Sequence, residues 1–241
     1  MESPAKTKLS DYPYLVTVIE KEAYIAGALR DGYVGKYTDN HGKIHYVITV
    51  YNKDVYWLHQ LAEFFETIYG VKPKLNITPN RTPYLRLYSR TLVQYFAEKF
   101  GHPIGKQTNW GTPMFIKQSY DENLWISYIA GYFDAEGGID INRRQIKFHT
   151  SWDGDTCPPL MDIKIALARF FEIRTGEVCM YRNDKGNIPR FVLRILKADN
   201  ERFFKTFPFL NKIKIQRLLK IMPERSQPQD SSPAEEGGPE N

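Results

Sequence analysis

Tyr128-Ile-Ala-Gly-Tyr-Phe-Asp-Ala-Glu-Gly137 decides the fold, because a shorter echo, Tyr24-Ile-Ala-Gly-Ala-Leu-Arg-Asp-Gly32, stands about a hundred residues upstream. Both open on the same apolar start and close on an acid followed by glycine. Working outward, Phe64-Phe65-Glu66 recurs as Phe170-Phe171-Glu172, and each copy runs on to a glycine (Gly70, Gly176) and a valine (Val71, Val178). Pro83 pairs with Pro189, Tyr95-Phe96 with Phe203-Phe204, and Phe100 with Phe207, in collinear order. A repeat this long exceeds a solenoid unit and predicts two homologous halves related by a pseudo-two-fold axis.

Each half reads as the same string of elements. A helix ends at Asp31-Gly32 or Glu136-Gly137, and a hairpin follows. Asn40-His41-Gly42 supplies the first hairpin's turn; beyond it Ile44, Tyr46, Ile48 and Val50 alternate with Lys43, His45, Val47 and Thr49. In the second copy Arg143, Gln145, Lys147 and His149 alternate with Arg144, Ile146, Phe148 and Thr150, which makes one face basic and polar. Long helices over Asp54–Tyr69 and Leu160–Thr175 come next, with Gly70 and Gly176 as expected C-caps. Second hairpins turn at Pro79-Asn80-Arg81-Thr82 and at Asn183-Asp184-Lys185-Gly186-Asn187, and a further helix closes each half, Ser89 and Gly101 capping the first one. A last helix, Asn211–Met222, appears in the second half alone. The expected organisation is an N-terminal extension (1–19), a first subdomain (20–100), a Pro/Gly-rich linker (101–119), a second subdomain (120–222) and a disordered tail (223–241). The fold class is α+β, with short antiparallel sheets backed by helices. Trp57, Phe64, Phe65, Phe170 and Phe171 fall at helical spacing and are expected in the core.

The net charge is +5, but the tail from Pro223 carries five acids against one base, so the body ahead of it stands at +9. A basic body with sixteen tyrosines suits a polyanion partner, since Lys and Arg that neutralise phosphates release condensed counterions. The two cysteines, Cys157 and Cys179, lack C-x-x-C spacing and a histidine cluster, so neither a disulfide framework nor a zinc site is indicated. No apolar run approaches a membrane span, and Met1–Ser10 is polar without a signal core, so the expectation is a soluble, intracellular protein, cytoplasmic or organellar.

Gly131 and Ala135 lie four apart on one helical face, which lets another helix approach to backbone contact. If the two copies pack helix against helix, Asp31 and Glu136 arrive side by side at the bottom of the seam. Two adjacent carboxylates repel unless a cation lies between them, and their hard oxygens suit Mg²⁺. Such a centre is suited to metal-dependent hydrolysis.

Ile129-Ala-Gly-Tyr-Phe-Asp-Ala-Glu-Gly137 resembles the nine-residue signature of the LAGLIDADG homing endonucleases. The two copies, each followed by β-β-α-β-β-α, resemble the single-chain members over about residues 20 to 222. The resemblance implies two pseudo-symmetric αββαββα subdomains whose sheets form a saddle over the DNA major groove. It implies Asp31 and Glu136 as metal ligands, helped by the main-chain carbonyl near Ala135. Water would then attack a phosphodiester in each strand, leaving 3′ overhangs; Mg²⁺ is the cofactor, with Mn²⁺ able to substitute. The first motif departs from the pattern: counting back from Asp31 puts Ala26 at the usual glycine position and Arg30 where a small residue is expected, as if one residue were missing.

Family members place basic or amide side chains beside each acid, and the candidates are Asn52 and Lys53 in the first half and Lys147 and His149 in the second. Lys43, His45, Thr49, Arg143, Gln145, Lys147 and His149 would face the groove, with Arg86 and Arg194 extending that surface. The expected partner is double-stranded DNA, bound by a monomer without membrane association. The alternatives are an intron maturase of the same fold, with intron RNA as partner, and a non-catalytic DNA-binding regulator. An intein is disfavoured, since no splicing residues surround the repeats.

Overall fold

A computed structural model describes residues 15–106, 109–181 and 188–223. The turn expected at Asn183–Asn187, residues 1–14 of the extension and the tail from Glu224 lie outside the described residues.

Thr17 opens α1 (Val18–Ala28) with a reciprocal cap. Its hydroxyl accepts from the Glu20 amide (3.2 Å) while the Glu20 carboxylate accepts from the Thr17 amide (2.8 Å), so two donors that a helix start leaves unpaired are satisfied. A single 3-10 turn, Leu29–Asp31, then leads into β1 (Gly32–Thr38), β2 (Ile44–Tyr51), α2 (Val55–Tyr69), β3 (Lys74–Ile77), β4 (Pro83–Tyr88) and α3 (Arg90–Phe100). After α4 (Met114–Lys117) the string recurs as α5 (Glu122–Glu136), β5 (Gly138–Asp140), β6 (Gln145–Ser151), α6 (Pro158–Phe171), β7 (Cys179–Tyr181), β8 (Arg190–Arg194) and α7 (Asn200–Thr206). The sheets share one antiparallel topology, β1-β2-β4-β3 and β5-β6-β8-β7. Helix α8 (Lys212–Leu219) has no counterpart in the first half.

Past their polar first turns both motif helices are apolar on nearly every face, which suits a helix enclosed on every side. Residues Ala23 to Ala28 of α1 and Leu124 to Ala135 of α5 are buried, because the helices pack against each other and, on another flank, α1 against α2 and α5 against β6 and α6. Val34, Ile48, Val50, Leu85 and Leu87 of the first sheet, and Ile139, Ile146, Phe148, Phe191 and Leu193 of the second, close the same core. Trp57, Phe64, Phe65 and Phe171 are buried in it and Phe170 packs at its edge. The opposite faces of both sheets remain open.

Gly70 and Gly101 take left-handed conformations (φ 65° and 64°) at the ends of α2 and α3, and Ser89 caps α3 by accepting from the Leu92 amide. The expected end of the second long helix is wrong, however. Helix α6 stops at Phe171, with Glu172 in the left-handed position (φ 52°), because the fully buried Ile173 is drawn inward and its amide bonds to the Leu167 carbonyl. Gly176 instead donates its amide to Arg194 at the sheet edge. Likewise α8 ends at Leu219, three residues before Met222. The segment 101–119 is more than a linker: His102, Trp110 and Ile116 are all buried. Both described cysteines are free.

Candidate active site

Helices α1 and α5 cross at Gly27 and Gly131. A Cβ on Gly27 would collide with the Tyr128 carbonyl oxygen, and one on Gly131 with that of Tyr24. The packing register is therefore Tyr24 with Tyr128 and Gly27 with Gly131; Gly27, not Ala26, takes the place of the motif glycine. Asp31 lies four residues past its glycine and Glu136 five past. The 3-10 turn absorbs the difference. Five α-helical residues advance about 7.5 Å, and one α-helical residue followed by three 3-10 residues advances about the same. The residue missing from the first motif is thus recovered by tighter winding, and both acids reach one level.

Asp31 and Glu136 line a common pocket of about 260 Å³, together with Arg30, Gly32, Asn109, Trp110, Thr150 and Ser151. Asp31 is solvent-accessible at its mouth and Glu136 half-buried. Burial by the surrounding protein, then the charge of Glu136, push the Asp31 carboxyl up to about 7, with Lys214 acting the other way. Glu136 is also raised by burial, opposed by Lys214, Arg190 and Arg30. Desolvation outweighs the nearby cations at both acids, and a paired, partly desolvated carboxyl site suits a divalent cation. Mg²⁺ keeps several of its waters and needs only one or two carboxylates, so the residues present fit it. Among the described residues no cluster of three or more His, Cys, Asp or Glu offers an alternative metal site.

Lys214, which the sequence reading missed, is a buried cation that acts on both acids. Its Nζ donates to the carbonyls of Phe133 and Ala135 (2.5 and 3.0 Å), and burial beside Arg217 brings the ammonium down to about 8 despite the pull of Asp134, Glu136 and Asp31. The Ala135 carbonyl expected to assist a metal is thus already bonded, with one lone pair remaining. Helix α8 delivers Lys214 through Asn211, which caps α8 (accepting from Lys214 N, 3.2 Å) and donates to the Asp134 carbonyl (3.1 Å). Ile213 N donates to the Asp54 carboxylate of the first half (3.2 Å). Asp134, fully buried, accepts from Tyr24 Oη (2.5 Å) and Leu210 N (2.7 Å); burial raises it to about 6. The available signal was the unpaired helix itself, basic at Lys212, Lys214 and Arg217.

The other expected residues divide. Lys53 is exposed beside Asp31, in a groove it shares with Tyr51, Asn52, Thr82, Asn211, Ile213, Lys214 and Arg217. The Asn52 side-chain oxygen is engaged by the Asp54 amide (2.9 Å) and Asn211 (3.4 Å), so it orders the loop. Lys147 and His149 lie on the open face of β6, opposite Arg194 and Val192. The His149 ring sits over Gly138 with Nδ1 buried and unpaired, and burial together with Arg190 and Lys147 pulls it down to about 4, so it is neutral rather than a cation at physiological pH.

On the open faces, Gln145, Lys147 and Arg194 are presented as expected, and Lys43 and Arg143 sit in exposed hairpin turns. Arg194 bonds to Tyr181 Oη. His45 is half-buried, held by Asp39 (2.8 Å) and stacked on Tyr37. Thr49 departs from expectation: it is 2% exposed, beneath Arg86, whose Nε donates to its hydroxyl (3.4 Å), so it supports Arg86 instead of presenting itself. Arg86 also lies over the Tyr84 ring, 4.8 Å from its centroid. Two features of these faces escaped the sequence reading: Arg190 beside Glu136, and the tyrosines of the first sheet, Tyr33, Tyr37, Tyr51, Tyr84 and Tyr88.

Known proteins share this fold. No family model matches the chain. It is 32% identical over 120 residues, 48% of its length, to homing endonuclease I-ApeI of Aeropyrum pernix, and spans about half (51%) of that relative. The crystal structure of I-DmoI in complex with DNA and Mn superposes with a TM-score of 0.60, at 20% identity, over 79% of this chain and 97% of that one. Its fold is that of the LAGLIDADG homing endonucleases. I-WcaI bound to its DNA recognition sequence gives a TM-score of 0.51, at 18% identity, over 90% and 94%.

Proposed function

We propose that this chain is a site-specific, divalent-metal-dependent DNA endonuclease of the intron-homing type, acting inside the cell as a monomer. The observation that carries this reading is the shared pocket of Asp31 and Glu136 at the end of the helix crossing, between two open sheet faces that carry Lys147, Arg190, Arg194 and Arg86. Burial raises both carboxyls despite the nearby cations, so keeping the pair costs the fold stability, which a metal-binding role accounts for and DNA binding alone does not. No described helix is long and apolar enough to cross a membrane.

Asp31 and Glu136 would hold Mg²⁺ or Mn²⁺, which supplies a Lewis acid and an activated water when bound. The names of solved neighbours support that choice, since I-DmoI has been crystallised with DNA and with Mn, Mg or Ca. Water adds to phosphorus, the bond to the 3′ oxygen breaks, and that oxygen takes up a proton. Lys214 and Lys53 place positive charge where the phosphate gains negative charge in the transition state. Lys43, Gln145, Arg86, Arg143 and Arg194 contact the duplex in the major groove, some on phosphates and some on base edges. Staggered cuts in the two strands leave 3′ overhangs.

Incubation with Mg²⁺ and a plasmid carrying the intron-insertion sequence tests this. Linear product is expected from the wild type, and none from Glu136→Gln, which should still bind the DNA in Ca²⁺. Binding by the wild type without any cutting would remove the enzyme reading.

A further inference from the structure

Arg30 stands directly before the acid, where the second copy has Ala135, in the 3-10 turn Leu29–Asp31. Its guanidinium is spent on the main chain of the segment between the halves. Nη1 donates to the Trp110 carbonyl, and Nη2 donates to the Gly111 carbonyl (2.7 Å) and to Tyr128 Oη of the partner helix (2.9 Å). The plane lies on the Trp110 ring, 4.2 Å from its centroid, with Tyr132 at 5.2 Å. Trp110 is itself fixed, through Nε1 donating to the Phe100 carbonyl (3.0 Å) and through contact with the His102 ring. Next to it, Asn109 exchanges two bonds with the Asp153 main chain, donating at 3.0 Å and accepting at 2.8 Å. The segment is therefore anchored to α3 of the first half and to the loop after β6 of the second.

Arg30 precedes Asp31 directly, and its grip spans α1, the connecting segment and α5. Asp31 otherwise hangs on a short 3-10 turn whose hydrogen bonds are poorer than those of an α-helix. We infer that Arg30 is a positioning residue: by clamping Trp110, Gly111 and Tyr128 it holds Asp31 at the separation from Glu136 that a shared divalent cation requires. Planarity and two-pronged donation make arginine suited to this, and lysine cannot reproduce it. The connecting segment becomes a wall of the active site, consistent with Asn109 and Trp110 lining the pocket of the two acids.

The inference rests on the proposed metal-dependent reading, so its test reads metal binding without DNA or turnover. Mn²⁺ is titrated into metal-free protein and the free ion followed by electron paramagnetic resonance, alongside a thermal melt. Arg30→Met, which keeps an unbranched stem against Trp110, should bind Mn²⁺ about tenfold more weakly, as expected for losing charge-assisted bonds at a positioning contact. Arg30→Lys, which keeps charge, should fold even if the methionine variant does not, and should also bind more weakly than wild type. Arg144→Met removes a comparable grip on the carbonyls of Ile221 and Met222 and should leave Mn²⁺ affinity unchanged. Wild-type affinity in the folded Arg30 variants, whatever their melting temperature, overturns the clamp alone. A wild type that binds no Mn²⁺ overturns the metal reading beneath it.

Discussion

The two flanks of the acid pair occupy equivalent places in the repeat yet differ in chemistry. On one side, Asp31 meets Lys53, Lys214 and Arg217. On the other, the lining beyond the acids is Asn109, Trp110, Thr150 and Ser151, and Arg30 there is already bound to carbonyls. Lys214 comes from α8, which has no counterpart in the first half, so the ammonium on one flank has no repeat equivalent on the other. Duplication fixed the scaffold, and the chemistry diverged on it. Packing demands symmetry at the glycine crossing; catalysis needs only that each strand be served.

Mutations can separate the shared part from the divergent part. The largest effect falls on the shared part: Glu136→Gln is expected to slow cutting of both strands on the order of a hundredfold or more, measured as loss of both nicked and linear plasmid. Lys214→Met should act on one strand, slowing it by about a hundredfold and leaving the other nearly untouched, so that nicked circles accumulate. Equal slowing of the two strands would erase the proposed difference between the flanks.

Packing offers the opposite comparison. Gly27→Ala and Gly131→Ala each force a Cβ into the facing backbone, and should destabilise the fold alike, by about 1–3 kcal/mol, in urea denaturation. A large cost at one glycine and none at the other would contradict the register of Gly27 with Gly131.

The smallest effect is on pH. Asp31 is raised from its ordinary value to about 7, so between about pH 4 and 7 the folded protein binds protons that the unfolded chain has released. Its contribution to stability therefore falls as pH rises through that window. His149 and His102 are pulled down to about 4 and contribute with the opposite slope between about 4 and 6.5, so the useful quantity is a difference. Metal-free wild type should lose stability relative to Asp31→Asn on going from pH 5 to pH 7.5, and Mg²⁺ should cancel that loss. A difference independent of pH would mean that Asp31 is not held in a desolvating pocket.

These contrasts also explain what the residues disclosed in advance. The duplicated helix and its acid-glycine end were legible because burial on every side writes itself as an unbroken apolar run, and strand alternation fixed which face was polar. Lys214 was not legible: a lysine on a short basic helix reads as solvated until Asn211 and Asp54 are seen to fasten that helix over the acids. Arg30 looked like a defect of register, since its partners are main-chain carbonyls about eighty residues away, invisible to any local pattern. Thr49 matched the alternation and still failed as a groove residue, because alternation assigns a face and cannot say that Arg86 covers it. The end of α6 was misplaced for a related reason: the inward pull on Ile173 outweighed the glycine at position 176.

Anomalous diffraction from crystals grown with Mn²⁺ and target DNA bears most directly on the central claim. Manganese peaks within ligand distance of the carboxylates of both Asp31 and Glu136, in the one pocket at the end of the helix crossing, are the predicted result. Manganese bound elsewhere, or to one acid with the other turned away, would contradict it.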